Sequence, residues 1–190
     1  MRLSILLFIC LFSSSCVEKI VYLPFPTSFA VVLNINVQNN NTFDVTETVN
    51  GLDIAEEIRN QLQGEFGFEE IRETKIEGMS FAILDTDNAH SAANASFGLS
   101  YDGSAEEVLF SVDGLLLGDS IGERKEISLN SNGVDLLNLA LEDIVEGNSG
   151  SLVTVHVTGE AFPEVTRFTL LLEFTATPIV EQRVEIFDPF

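Results

Sequence analysis

Tryptophan is absent from this chain, cysteine and histidine occur twice each, and 9 lysines and arginines face 30 aspartates and glutamates across 190 residues. Each shortage closes a class of function. His90 and His156 lie far apart and no cysteine follows Cys16, so a transition-metal site of imidazoles and thiolates has no material. Without tryptophan, and with Tyr22 and Tyr101 as the whole tyrosine complement, the aromatic platforms usual on sugar-binding surfaces are missing. A formal net charge of -21 repels nucleic acid and anionic lipid, and neither is an expected partner. No apolar run reaches the roughly 20 residues of a membrane-spanning helix, and no glycine-rich loop precedes a helix to cradle phosphate.

What is present is apolar bulk. Of 15 phenylalanines, 13 lie after Cys16, and 45% of the residues are hydrophobic. That separates the chain from disordered acidic polymers and suffices for one sizeable core. The acid excess suits a salty medium, which screens self-repulsion.

The N-terminus has a plan of its own. Met1 and Arg2 precede an apolar run, Leu3 to Phe12, and three small polar residues, Ser13, Ser14 and Ser15, the tripartite order of a secretory signal. Cleavage before Cys16 removes Cys10 and leaves a lone terminal thiol, which cannot close an internal disulfide but can carry lipid. Acyl chains anchor at about 0.8 kcal/mol per buried CH₂. The run Ser13, Ser14, Ser15, Cys16 resembles the lipobox of bacterial lipoproteins, with Ser13 where leucine is usual. The resemblance covers residues 1–19. It implies a signal peptide over 1–15, covalent lipid on Cys16, and attachment to a membrane of the cell envelope. Val17 in place of aspartate implies the outer membrane, on its periplasmic or surface side. A secreted protein cut by the general signal peptidase is the alternative. Processing takes away Arg2 and no acid, leaving 175 residues at a charge of -22. Residues 16–27, with Pro24 and Pro26, read as a lipid-anchored linker, and 28–190 as a single domain.

Within that domain, apolar residues alternate at Phe29, Val31, Leu33, Ile35 and Val37, the period of a half-buried strand. Similar runs recur at Phe43 to Asn50, Ile76 to Ile83, around Phe97 to Tyr101, Val108 to Leu117, Ile127 to Leu129, Val153 to Val157, Phe168 to Phe174, and through Val184 and Ile186, with Gly78 marking a bulge. Two segments change to helical spacing, 53–63 and 134–145, the first with Asp53 as cap and Glu56 completing a capping box. Each follows an Asn-Gly pair: "NGLDIAEEIRNQL" from Asn50 and "NGVDLLNLALEDI" from Asn132. The expected fold is mainly β, an antiparallel β-sandwich with two short helices and an internal ββαββ duplication over 28–103 and 107–187. An α+β arrangement is the alternative.

Three constellations carry candidate chemistry. "GDSIG", Gly118 to Gly122, fits the G-x-S-x-G nucleophile elbow, and Ser120, Asp135 or Asp143, and His156 follow in hydrolase order. The elbow requires a strand turning into a helix, whereas "ERKEISLN" reads as a turn and another strand, and His156 lies inside a strand. A plain turn is the better reading of Ser120. "DTDN" offers Asp85, Asp87 and Asn88 to calcium, a hard oxygen-seeking cation, although Ala89, His90 and Ser96 break the EF-hand pattern. The closing "VEIFDPF" has a terminal phenylalanine like outer-membrane barrels, but two helices and Pro189 oppose a barrel.

The sequence therefore points to a lipid-anchored envelope protein acting as a non-catalytic binding or structural module. No cofactor is expected beyond the lipid on Cys16, with calcium as the alternative. The expected partners are the membrane and another envelope protein that pairs at a sheet edge. The rival functions are a carrier of an apolar ligand in a Phe-lined space and a serine hydrolase using Ser120.

Overall fold

The computed structural model describes residues 16–37, 41–63, 70–146, 150–162 and 166–187. In chain order the elements are β1 (Cys16–Pro24), β2 (Thr27–Val37), β3 (Thr42–Asn50), α1 (Gly51–Gln63), β4 (Glu70–Thr86), β5 (Ala92–Tyr101), β6 (Glu107–Leu116), β7 (Lys125–Ile127), α2 (Ser131–Val145), β8 (Leu152–Phe162) and β9 (Thr166–Phe187). All strand pairs are antiparallel. Among the described residues the architecture is a mainly-β sandwich with two short helices, as the alternating patterns predict.

β9 organises the first sheet. Its first half pairs with β2, from Val37 opposite Thr166 to Thr27 opposite Ala176, and its second half pairs with β1, from Pro24 opposite Ile179 to Cys16 opposite Phe187. β4 runs along its other side, and β7 lies beyond β4. The second sheet has the order β3-β8-β5-β6. Strand formation follows from period-2 burial: in β2 Phe29, Val31, Leu33, Ile35 and Val37 are buried while Ala30, Val32, Asn34 and Asn36 are exposed.

The sheets meet through phenylalanine. Phe81 of β4 stacks on Phe97 of β5 at 6.1 Å, and Phe43 of β3 meets Phe168 of β9 edge-on at 5.7 Å. The helices complete the core with Ile54, Ile58 and Leu62 from α1 and Leu137, Leu141 and Ile144 from α2, all buried.

The two halves of the domain correspond strand for strand. Exchanging β2, β3, β4 and β5 with β6, β7, β8 and β9 turns the order β2-β9-β4-β7 into β6-β5-β8-β3, which is the second sheet read from its other edge. The register agrees. Phe29 lies opposite Phe174 and stacks on it at 5.0 Å and 10°; the corresponding pair, Phe110 and Phe97, lies opposite and stacks at 4.1 Å and 8°.

Several expectations need correction. Residues 16–24, read as part of a linker, form strand β1, because Ile20, Val21, Tyr22 and Leu23 find an extended partner in β9. The first helix begins at Gly51, and Asn50 Oδ1 accepts from Leu52 N at 2.9 Å, so Asp53 lies within the first turn and is not the cap. The second helix begins at Ser131, capped by Asn130, whose Oδ1 accepts from Gly133 N at 2.7 Å. The two C-terminal strands are one 22-residue strand, and β4 starts ahead of the expected Ile76. The Gly78 bulge is present: register shifts between Ile76 and Gly78, and the Ile76 N–H donates to Asn138 Oδ1 of α2 at 2.8 Å. Ser13 to Ser15 and Phe190 fall outside the described residues.

Candidate functional site

The members of the proposed triad are placed apart, each with a different partner. Ser120 is 2% exposed in the turn after β6, and its Oγ accepts from Lys125 Nζ at 3.1 Å. Asp143 Oδ2, on α2, accepts the Tyr101 hydroxyl proton at 2.7 Å, and that hydroxyl also lies 2.8 Å from Ser151 Oγ. Burial and the adjacent Asp143 carboxylate push the Tyr101 phenol above its ordinary value, so it stays a donor and ties α2 to the end of β5 and the entry to β8. Asp135 is exposed in α2.

His156 belongs to a cluster that spacing along the chain does not reveal. Its Nδ1 lies 2.7 Å from Glu106 Oε2 and its Nε2 lies 2.7 Å from Asp44 Oδ1. Both contacts are hydrogen bonds only when both ring nitrogens carry protons. Glu106 first and Asp44 second raise the imidazole above its ordinary value of 6.5. Three elements meet here: β3 supplies Asp44, β8 supplies His156, and the β5–β6 loop supplies Glu106. Gly98 lies opposite His156 on β5, and a Cβ there would collide with the Glu106 carboxylate; glycine leaves the path open. With both nitrogens held by carboxylates, the ring has none left for Ser120, and the two carboxylates approach it from opposite sides.

The proposed calcium residues are also engaged locally. Asp87 Oδ1 accepts from Arg167 N at 2.8 Å and Thr166 Oγ1 at 3.1 Å, and the Arg167 bond chiefly holds its carboxyl below the usual range. Asn88 Oδ1 accepts from His90 N at 3.2 Å. Asp85 lies in β4, opposite Thr169, and not in a loop. Among the described residues, no group of three or more His, Cys, Asp and Glu is gathered closely enough to hold a metal ion. The apolar seam between the sheets and helices, lined by Phe29, Val31, Leu137, Leu141 and Phe174 among others, encloses about 10 Å³, room for no more than one water.

The remaining unusual feature is the edge of β2. Ser28 N donates to Gln61 Oε1 at 3.0 Å, and Gln61 Nε2 donates to Ser28 O at 2.6 Å, so a side-chain amide of α1 occupies one pairing position as a neighbouring strand would. Beside it, Ser28, Ala30, Val49, Asp53, Glu57 and Gln61 line an open groove. On β6, the strand that matches β2, Asn130 Nδ2 donates to Val108 O.

Together these features define a class and no more: an antiparallel β-sandwich whose polar clusters tie its own elements together. No protein-family model matches the chain, and no curated protein sequence matches it. Among solved structures it is similar to Desmodium yellow mottle tymovirus, with 11% identity over 86% of each chain and a TM-score of 0.32. It is also similar to the semi-empty VLP of giant freshwater prawn Macrobrachium rosenbergii nodavirus (10% identity over 88% of this chain and 97% of that one, TM-score 0.32). The Gx strain of infectious bursal disease virus follows, at 9% identity, 88% and 37% coverage, and a TM-score of 0.30. Likenesses this slight carry no argument about function.

Proposed function

We propose that this chain is a lipid-anchored protein of the cell envelope, attached through Cys16 at the outer membrane, whose β-sandwich is a non-catalytic binding or structural module. The observation that carries the reading is the order of the N-terminal residues: an apolar run from Leu3 to Phe12 and three serines, Ser13 to Ser15, stand directly before Cys16, the residue that would bear the lipid. The binding role draws support from the site geometry: Ser120, Asp143 and His156 each serve contacts inside the body, and the sheet keeps an open edge at β2. The seam of about 10 Å³ favours this reading over a carrier of apolar ligands.

Metabolic labelling with a fatty-acid analogue tests the anchor: wild type takes up label in the membrane fraction, and Cys16→Ser takes up none. Equal labelling, or an intact residue 1 in the mature protein by mass spectrometry, overturns it. A fluorophosphonate probe tests the catalytic alternative. Ser120, buried and bonded to Lys125, is expected not to react; labelling that Ser120→Ala abolishes would reinstate a hydrolase.

A further inference from the structure

We propose that two copies of this chain join antiparallel through the free edge of β2, continuing the first sheet across a two-fold axis at Leu33. The inference deepens the binding reading above by naming its surface and its partner. It rests on that reading only in taking contact as the body's work.

The backbone identifies which groups are free. Ser28 turns both its N–H and its C=O to Gln61, away from β9. Alternation in an antiparallel pair then directs the corresponding groups of Ala30, Val32, Asn34 and Asn36 to the same open side. Among the described residues β2 pairs with β9 alone, so this edge presents four consecutive pairing positions beyond the Gln61 plug.

The sequence leaves the edge undefended. Folded proteins blunt exposed edges with charge, proline, bulges or short strands. β3 carries Asp44 and Glu47, β6 carries Glu107 and Asp113, and β1 carries Glu18 and Lys19. β6 also breaks register twice against β5, and β7 is three residues long. β2 uses none of these devices. It is 11 residues without charge or proline, in unbroken register with β9, and 47% exposed at Val32. The charge-free stretch runs from Ile20 to Phe43 in a chain that is 21% charged.

Self-complementarity selects the occupant. Four positions centred on Leu33 let a second β2 place Asn36 opposite Ala30 and Asn34 opposite Val32, and the converse, for about eight backbone hydrogen bonds at two per residue pair. Both Gln61 plugs stay in place, one at each end of the shared ladder. Asp53 and Glu57 border the Ala30 end of the groove. The partner segment arriving there, from Asn36 onward, carries no charge through Phe43, so no like charges are opposed. The bodies still repel at a distance, and salt at physiological strength screens that repulsion beyond about 8 Å.

Sedimentation of the full chain in mild detergent tests the proposal. The expected result is a monomer–dimer equilibrium that shifts to dimer as sodium chloride rises. Val32→Lys raises the dissociation constant at least tenfold with an unchanged far-ultraviolet spectrum, while Val108→Lys on the β6 edge leaves it unaltered. A mixture of Val32→Cys and Asn34→Cys chains forms an intermolecular disulfide that neither forms alone through that position, because only 32 and 34 face each other in this register. A monomer at every salt concentration, or a dimer indifferent to Val32→Lys, overturns the proposal. Cys16→Ser separates the two readings: it abolishes the proposed anchor and leaves the dimer intact.

Discussion

The β2 and β6 edges occupy corresponding places in the two halves and have been finished differently. Each has a helix beside it and a side-chain amide bonded to its outer backbone: Gln61 at Ser28 on β2, Asn130 at Val108 on β6. On β6 the same asparagine also caps α2, two register shifts bend the strand, and Gly114 sits at φ 63°. On β2 the amide closes one position and the rest of the strand keeps an unbroken register with β9 and carries no charge. A shared topology thus fixes where an edge falls, and the local sequence decides whether it is closed.

Core truncation gives the largest test of the correspondence. Phe97→Ala and Phe174→Ala, each about 1% exposed and in the matched stacks, should lose similar stability, about 3–5 kcal/mol in denaturant unfolding. A large disparity would show that the matched stacks do not do matched work.

The two plugs come next. Asn130→Ala removes a helix cap together with the Val108 contact and should lose about 1–2 kcal/mol. Gln61→Ala frees Ser28 and removes an exposed bond to Glu57, and should lose about 1 kcal/mol or less. Reversal of that order would mean that β2, not β6, depends more on its plug.

The smallest expected effect concerns pH and has no counterpart in the first sheet. His156 has its pKa raised on folding by Glu106 and Asp44, so its contribution is fully present below its unfolded value near 6.5 and is lost as pH rises through the higher folded value. The melting temperature of wild type relative to His156→Gln should therefore fall between mildly acidic and mildly alkaline pH. Gly98→Ala, which displaces Glu106, should flatten that difference. A constant gap between wild type and variant across the range would refute the assignment.

Strand existence was legible because burial in a sandwich imposes period 2, and Phe29 to Val37 or Val153 to Val157 display it without interruption. Element ends were less so. Asp53 looks like a cap, but Asn50, ending β3, already accepts from Leu52 N, so the helix starts earlier. By sequence β1 reads as linker because Pro24 and Pro26 flank Phe25, yet β9 continues past Pro178 and offers those residues a partner, with the Phe25 N–H donating to the Pro178 carbonyl at 3.0 Å. The His156 cluster was invisible for a topological reason. Asp44 and Glu106 are separated from His156 by 112 and 50 residues, and only the order β3-β8-β5, with a glycine opposite the ring, brings them to it.

The unbroken length of β9 has a mechanical consequence. At about 3.3 Å per residue its 22 residues run about 70 Å. Cys16 and Phe187 share one tip of this beam, while the 87–91 turn lies near its opposite extremity, beside Phe168 and Thr166. An anchor at Cys16 would therefore hold that turn at arm's length through hydrogen-bonded sheet rather than slack chain.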